Sequence, residues 1–333
     1  MAELILLTGI SGFVAKHVAL KFLAAGYAVR GTLRRLDRAA EVRAALAPHL
    51  DAAALGRLGF VLADLEAEAG WATAMDGVAA VVHTASPFPI VEPADPDVLI
   101  RPAVQGTMRV LRAARLAGVL RVVVTSSTVS VQDRRQKGVQ DEEDWCNPDG
   151  ASAYARSKIL AERAAWDFAG REGLQLTTIN PGFVLGPPLD AHFGSSVGVV
   201  RRLMRGRDPM VPMIGFVVVD VRDVAEMHLR AVQQAATVGK RYLAAGGSMT
   251  MPDMARVLKQ AYPRRRIPTM VAPKIALRVL GLFDRQIRAA ADLVGYLPEV
   301  SNARATAEMG MDFATPAAAL KATADWLVKA GQV

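Results

Sequence analysis

The feature that most constrains this chain is the alternation of two kinds of segment from Leu4 to Ile179. Six short apolar runs, Leu4–Leu7, Ala28–Thr32, Gly59–Leu62, Ala79–His83, Arg121–Thr125 and Gln175–Ile179, have the length and Val/Ile/Leu content of strands buried on both faces. Longer Ala/Leu-rich patterns with helical spacing lie between them, most clearly over Phe13–Ala25, Asp95–Ala117 and Ser152–Arg171. Parallel strands need such crossovers, and a repeated βα pattern gives a parallel sheet with helices on both faces. The expected fold class is therefore α/β, a doubly wound parallel sheet that binds ligands at the carboxyl ends of its strands.

Beyond Pro181 the regularity weakens. Pro187-Pro188, Pro209, Pro212, Gly246-Gly247, Pro263, Pro268 and Pro273 cut the chain into short pieces. Two later helices are announced by their caps: Thr250 stands before Pro252 and Asp253, and Thr315 before Pro316. This half is expected to form a smaller α/β lobe closing over a ligand.

A chain of 333 residues, 52% hydrophobic and 22% charged, can build its core without metal or disulfide staples. The single cysteine, Cys146, excludes an intramolecular disulfide and a zinc site built on several thiolates, and it fits a reducing cytoplasm. The N-terminus passes from Met-Ala-Glu directly into an apolar strand, without the pattern of a secretory signal. The apolar segment from Ile275 to Tyr296 is interrupted by Arg278, Asp284, Arg285, Arg288 and Asp292, so no membrane span is expected. The net charge of +8 would suit a nucleic-acid partner or an anionic ligand, but it reads first as an arginine-rich solvated surface. No nucleic-acid-binding motif accompanies it, and Arg201-Arg202 and Arg264-Arg265-Arg266 read as solvated faces.

Three motifs carry chemistry. The first is Thr8-Gly9-Ile10-Ser11-Gly12-Phe13-Val14-Ala15, with glycines at a strand-to-helix turn. There the backbone must bend sharply and admit a pyrophosphate to the positive end of the following helix. The second closes strand two, where an NAD-binding chain places an acid for the ribose 2′-hydroxyl; this chain has Arg34 and Arg35, with Arg38 close behind. Guanidinium forks suit a 2′-phosphate, so the cofactor expected is NADP(H). The third is Tyr154-Ala-Arg-Ser-Lys158, which sets a phenol and an ammonium on one helix face. The ammonium, together with the positive nicotinamide of an oxidised cofactor, is expected to lower the phenol's pKa from its usual value near 10 and so make Tyr154 a general acid. Ser126-Ser127 ends the preceding strand and offers a hydroxyl to a substrate oxygen.

Together these motifs resemble the extended short-chain dehydrogenase/reductase family, in its dihydroflavonol 4-reductase, cinnamoyl-CoA reductase and carbonyl (aldehyde) reductase branch. Further matches are Gly31-Thr32-Leu33-Arg34, Ala63-Asp64-Leu65, His83-Thr84-Ala85-Ser86-Pro87-Phe88, Val104-Gln105-Gly106-Thr107, Arg121 through Ser127, Pro181 through Pro187, and Asp220-Val-Arg-Asp223-Val-Ala. The resemblance implies a Rossmann-type fold and a catalytic triad of Ser127, Tyr154 and Lys158, with Lys158 also on the nicotinamide ribose. Ser127 is preferred to Ser126 because the family's working serine is the last of its Thr-Ser-Ser run. Gly9, Ser11, Gly12, Phe13, Val14, Arg34 and Arg35 would line the phosphate and adenosine side. Asp64 and Leu65 would frame the adenine, and Thr84, Ala85 and Ser86 would pass under the cofactor. Pro181, Val184 and Ser196 would reach its nicotinamide and phosphate side.

The chain departs from flavonoid reductases in three ways: Glu41 replaces a second basic residue, Gln132 stands where a substrate-gripping Asn is expected, and the serine-to-tyrosine segment is shorter. These departures argue for general carbonyl reduction over a flavonoid substrate. His83 reads as a core histidine, Cys146 as unreactive, and Phe88, Phe183, Met210, Met213 and Phe216 as candidates for an apolar substrate pocket.

The expectation is thus NADPH-dependent hydride transfer to an aldehyde or ketone. Residues 1–182 would form the NADP-binding domain, with residues from roughly 217–247 returning to it, and residues 183–333 mainly the substrate lobe. The partners expected are a small carbonyl compound and, at most, a second copy of the chain. The rival readings are a sugar-nucleotide epimerase or dehydratase, which would usually carry the missing acid after strand two, and a non-enzymatic NADP sensor, which would tend to lose the Tyr–Lys pair.

Overall fold

The computed structural model describes residues 2–86, 95–136, 138–275, 277 and 293–333. Seven strands form one all-parallel sheet: β1 (Leu4–Thr8), β2 (Ala28–Leu33), β3 (Leu58–Leu62), β4 (Ala80–His83), β5 (Arg121–Thr125), β6 (Gln175–Pro181) and β9 (Lys240–Ala244). Their order is β3-β2-β1-β4-β5-β6-β9. The chain therefore winds one way from β1 and then the other, and the reversal opens a crevice between the carboxyl ends of β1 and β4. The register sets Thr8 beside His83, which brings the two carboxyl ends level.

Helices cover both faces. On one lie α1 (Phe13–Ala24), α2 (Ala39–Leu46), α3 (Ala52–Gly56) and α8 (Val221–Gln233), enclosing a core of Val18, Phe22, Leu23, Val82, Val224 and Met227. On the other lie α4 (Trp71–Met75), α5 (Asp97–Leu116) and α6 (Ala153–Glu172), around Trp71, Val81, Leu111, Val122 and Phe168. Ser152 caps α6 by accepting from Ala155 N–H, and Gly173 ends it in the left-handed conformation at φ 70°.

A three-stranded sheet stands beyond the carboxyl edge. Its members are β7 (Phe183–Leu185), β8 (Gly215–Asp220) and β10 (Gly247–Thr250), in the order β10-β8-β7. The helices α7 (Ser195–Arg205), α9 (Met251–Ala261) and α11 (Pro316–Lys329) pack around it, with α10 (Ala303–Met309) against the first core. Thr250 and Asp253 form a reciprocal capping box at α9, and Thr315 caps α11 through Ala318 N–H. Of the runs read as solvated, Arg202 is exposed and paired with Asp208, while the Arg201 guanidinium lies over the Phe193 ring. The charges expected to interrupt Ile275–Tyr296 fall outside the described residues. No described helix is long and apolar enough to cross a membrane.

Candidate active site

The crevice begins where β1 ends. Gly9 turns the chain at φ 67°, and a Cβ there would lie 2.9 Å from Ala85 Cβ, so both conformation and space require glycine. Thr8 ties this turn to β4. Its hydroxyl accepts from Thr84 N–H at 3.1 Å and Ala85 N–H at 3.0 Å, and it bonds His83 Nδ1 at 2.8 Å. The hydroxyl proton therefore goes to Nδ1, which leaves Nε2–H of His83 to face Thr107 Oγ1 at 3.3 Å. His83 is a satisfied core histidine, and burial lowers its pKa to about 3.

Helix α1 starts after Gly12 with no side-chain cap and no acid in its first turn. Its free N–H groups and positive dipole end thus face the crevice uncompensated, as an anion site requires. At the end of β2, Arg34 is exposed and makes no ion pair or hydrogen bond among the described residues. Arg35 lies 3.5 Å from Asp37, and Arg38 binds Glu41 at 3.0 Å. The departure at Glu41 therefore ties up Arg38, and Arg34 is the uncommitted fork.

The third motif comes together across two elements. Ser127 follows β5, and Tyr154 and Lys158 share a face of α6. Ser127 and Tyr154 are hydrogen-bonded and line one cleft of about 530 Å³. Ser127 Oγ also faces the Pro181 carbonyl at 3.4 Å. Lys158 stands a turn further along, half-buried, and no described residue accepts a hydrogen bond from its Nζ. Burial pulls its pKa down to about 8, and the carboxylate of Glu162 works against that shift. The phenol of Tyr154 departs from expectation. Burial raises its pKa above the ordinary value, and only the bond to Ser127 opposes the rise. Desolvation outweighs the help expected from Lys158. The phenol is thereby kept protonated, the form a proton donor needs.

Gly9, Gly12, Phe13, Val14, Thr84, Ser127, Tyr154, Val184 and Ser196 all line the cleft. Ala85, Ser86 and Lys158 border a smaller void beside it. Asp64 is occupied locally, its carboxylate accepting from Glu66 N–H at 3.1 Å, and Leu65 packs against Gly106 of α5. Ser11, Arg34, Arg35, Asp64, Leu65 and Pro181 border neither space. Phe183 and Phe216 stack at 4.5 Å between centroids and wall the cleft, with Ile214, Leu293 and Tyr296 nearby. Met210 instead packs with Ala272 and Leu277, Met213 is exposed, and Phe88 is outside the described residues.

Several residues escaped the sequence reading, among them Ile214, Leu293 and Tyr296 of the cleft wall. Gly182 lines the cleft where a Cβ would lie 2.3 Å from the Val217 carbonyl oxygen. Glu162 is buried behind Lys158; as a glutamate two turns along a helix from Tyr154, it reads like a surface residue. Lys16 of α1 is also buried, paired with Asp190.

A glycine turn into an uncapped helix at the switch point of a parallel sheet, facing the hydrogen-bonded Ser127–Tyr154 pair with Lys158 a turn behind it, defines a dinucleotide-binding α/β protein of the Rossmann type. The chain belongs to the NAD dependent epimerase/dehydratase family, which matches residues 5–245, and within it to the extended short-chain dehydrogenase/reductases. Cinnamoyl-CoA reductase 1 of Arabidopsis thaliana is 34% identical over 271 residues, 79% of this chain and 76% of that protein. Dihydroflavonol 4-reductase of Zea mays is 32% identical over 275 residues, 79% and 76% of the two chains. The crystal structure of yeast methylglyoxal/isovaleraldehyde reductase complexed with NADPH superposes with a TM-score of 0.82 at 26% identity, covering 99% of this chain and 100% of that one.

Proposed function

We propose that the chain reduces an aldehyde or ketone to an alcohol with NADPH, in the cytoplasm and without a nucleic-acid partner. The observation that carries this reading is the convergence of Tyr154, hydrogen-bonded to Ser127, on an apolar-walled cleft that continues to the uncapped start of α1. The residues present fit the cofactor. The Gly9 turn and the α1 N-terminus would hold its pyrophosphate, Arg34 its 2′-phosphate, and the unengaged ammonium of Lys158 its nicotinamide ribose. The bound nicotinamide supplies the hydride. Ser127 orients the substrate oxygen, and Tyr154 gives it a proton as negative charge develops there. Lys158 stabilises the phenolate left behind. The reductases among the relatives, and the NADPH held by the yeast structure, support this reading.

The test is NADPH oxidation by the purified protein with a panel of aliphatic and aromatic aldehydes and ketones. Turnover of several is expected. A protein that turns over no carbonyl but interconverts a sugar nucleotide would overturn the reading in favour of an epimerase, and one that binds NADPH without turnover would indicate a sensor.

A further inference from the structure

Ser127 sits at the end of a strand, whereas Tyr154 and Lys158 ride on a helix, so their geometry depends on how firmly helix and strand are joined. One side chain reaches both. Glu162 lies on α6 one turn beyond Lys158 and is 1% exposed. One carboxylate oxygen accepts from Ser126 Oγ at 2.5 Å, Ser130 Oγ at 2.6 Å and Asn180 Nδ2 at 2.8 Å. The other accepts from Arg241 Nε at 2.7 Å and Thr178 Oγ1 at 3.2 Å. These donors come from the end of β5, the turn after it, β6 and β9. Ser126 is the covalent neighbour of Ser127, and Asn180 Nδ2 also donates to the Ser127 carbonyl at 3.3 Å.

A buried carboxylate is a costly fastener, because well-packed apolar side chains hold a helix to a sheet as well or better. Its charge therefore calls for a role of its own. Glu162 stands at i+4 from Lys158, on the same helix face. The two also border one void of about 10 Å³, the size of one water molecule, together with His83 and Ser126.

We propose that Glu162 is a positioning residue of the active site: it locks α6 to the Ser126–Ser127 corner, and its negative charge keeps Lys158 an ammonium. It touches neither substrate nor cofactor, and the proposal rests on the roles given above to Tyr154 and Lys158. The other charged or titratable groups facing this region are Arg241 from β9, His83 from β4 and, through Thr125, His228 from α8. Both histidines are held neutral by burial, at about 3 and about 4. Arg241 is further engaged with the carbonyls of Glu142 and Asp144, both at 2.8 Å.

Glu162→Gln keeps the shape and removes the charge. Lysine 13Cε NMR of the protein without cofactor, with the Lys158 signal identified by its absence in Lys158→Arg, is expected to show the Lys158 midpoint falling by about one unit or more. The basic limb of kcat should move to lower pH by a similar amount, since removing a negative charge loosens the proton on both Lys158 and Tyr154. The Kd for NADPH, read by fluorescence, should change less than about threefold, within what one weakened hydrogen bond accounts for. An unmoved Lys158 midpoint together with an unmoved basic limb would overturn the proposal, whatever happens to overall stability. If Glu162→Gln does not fold, Ser126→Ala removes one strut and keeps the charge. It should lower kcat roughly three- to tenfold with unchanged Kd for NADPH, and a wild-type kcat there would overturn the proposal. Tyr154→Phe, assayed alongside, separates the two readings: if it is inactive while Glu162→Gln behaves as wild type, the positioning role alone has failed.

Discussion

Ser126 and Ser127 are chemically identical neighbours that face opposite ways. The first gives its proton to Glu162 inside the core, and the second meets Tyr154 at the cleft. Ser127→Ala is therefore expected to lose far more turnover than Ser126→Ala; equal losses in steady-state assays would mean that the register has been misassigned. Tyr154→Phe should leave NADPH binding near normal and cut kcat by about two orders of magnitude or more, the scale of a lost general acid. Near-wild-type turnover would remove Tyr154 from the chemistry. Arg34 makes the third prediction at this scale. A charge-assisted hydrogen bond contributes roughly 1.5–3 kcal/mol, so its contact with a 2′-phosphate should favour NADPH over NADH by at least about tenfold in kcat/KM. Arg34→Ala should erode that preference through the KM for NADPH, and added salt should shrink it, because the side chain is exposed. Equal use of both cofactors by the wild type would refute this reading of the loop.

At the scale of elements, the turn between β1 and α1 depends on a residue outside it. A Cβ on Gly31 of β2 would fall 2.4–2.7 Å from three side-chain atoms of Ile10. Gly31→Ala must push the turn upward. It should destabilise the protein by about 1–3 kcal/mol and raise the Kd for NADPH, measured by urea unfolding and fluorescence titration. Unchanged values in both would show that Ile10 repacks freely. The elements themselves were largely legible. Six of the seven parallel strands fall within two residues of their apolar runs, because burial on both faces writes a strand as a hydrophobic stretch; β9 (Lys240–Ala244) is not among the runs read as strands. The caps at Thr250 and Thr315 were legible for a local reason: their bonding is completed within three residues. The small sheet was not. Its strand β7 has three residues, and β10 carries Gly247 and Ser248, too little pattern to register apart from β8. Glu162 was illegible because every partner except its own helix is distant in sequence, and only the fold shows the carboxylate facing inward.

For the whole molecule, three buried histidines set an acid limit. Burial lowers His83 to about 3, and His17 and His228 to about 4. Above about pH 7.5 all three are mostly neutral whether folded or unfolded. As pH falls below 6.5, the unfolded chain takes up protons that the folded chain refuses, so stability is lost with falling pH until the folded values are passed. At pH 5 this amounts to up to about 2 kcal/mol per histidine. The urea midpoint should accordingly be clearly lower at pH 5 than at pH 7.5, and an equal midpoint at the two would contradict the burial of these rings.

The hydroxyl of Thr323 on α11 bonds both the N–H of Gly186, at 2.7 Å, and its carbonyl, at 3.1 Å, across 137 residues of chain. On a ribosome adding about 5–20 residues per second, the segment after β7 waits roughly 7–27 s for that partner to be made. Throughout the wait, Val197, Val200 and Leu203 of α7 lack the cover that Leu320, Ala324 and Leu327 later provide. A nascent chain of this protein therefore carries an exposed apolar surface late in synthesis, and its yield in cells should rise when translation is slowed by cold or when chaperones that bind such surfaces are abundant.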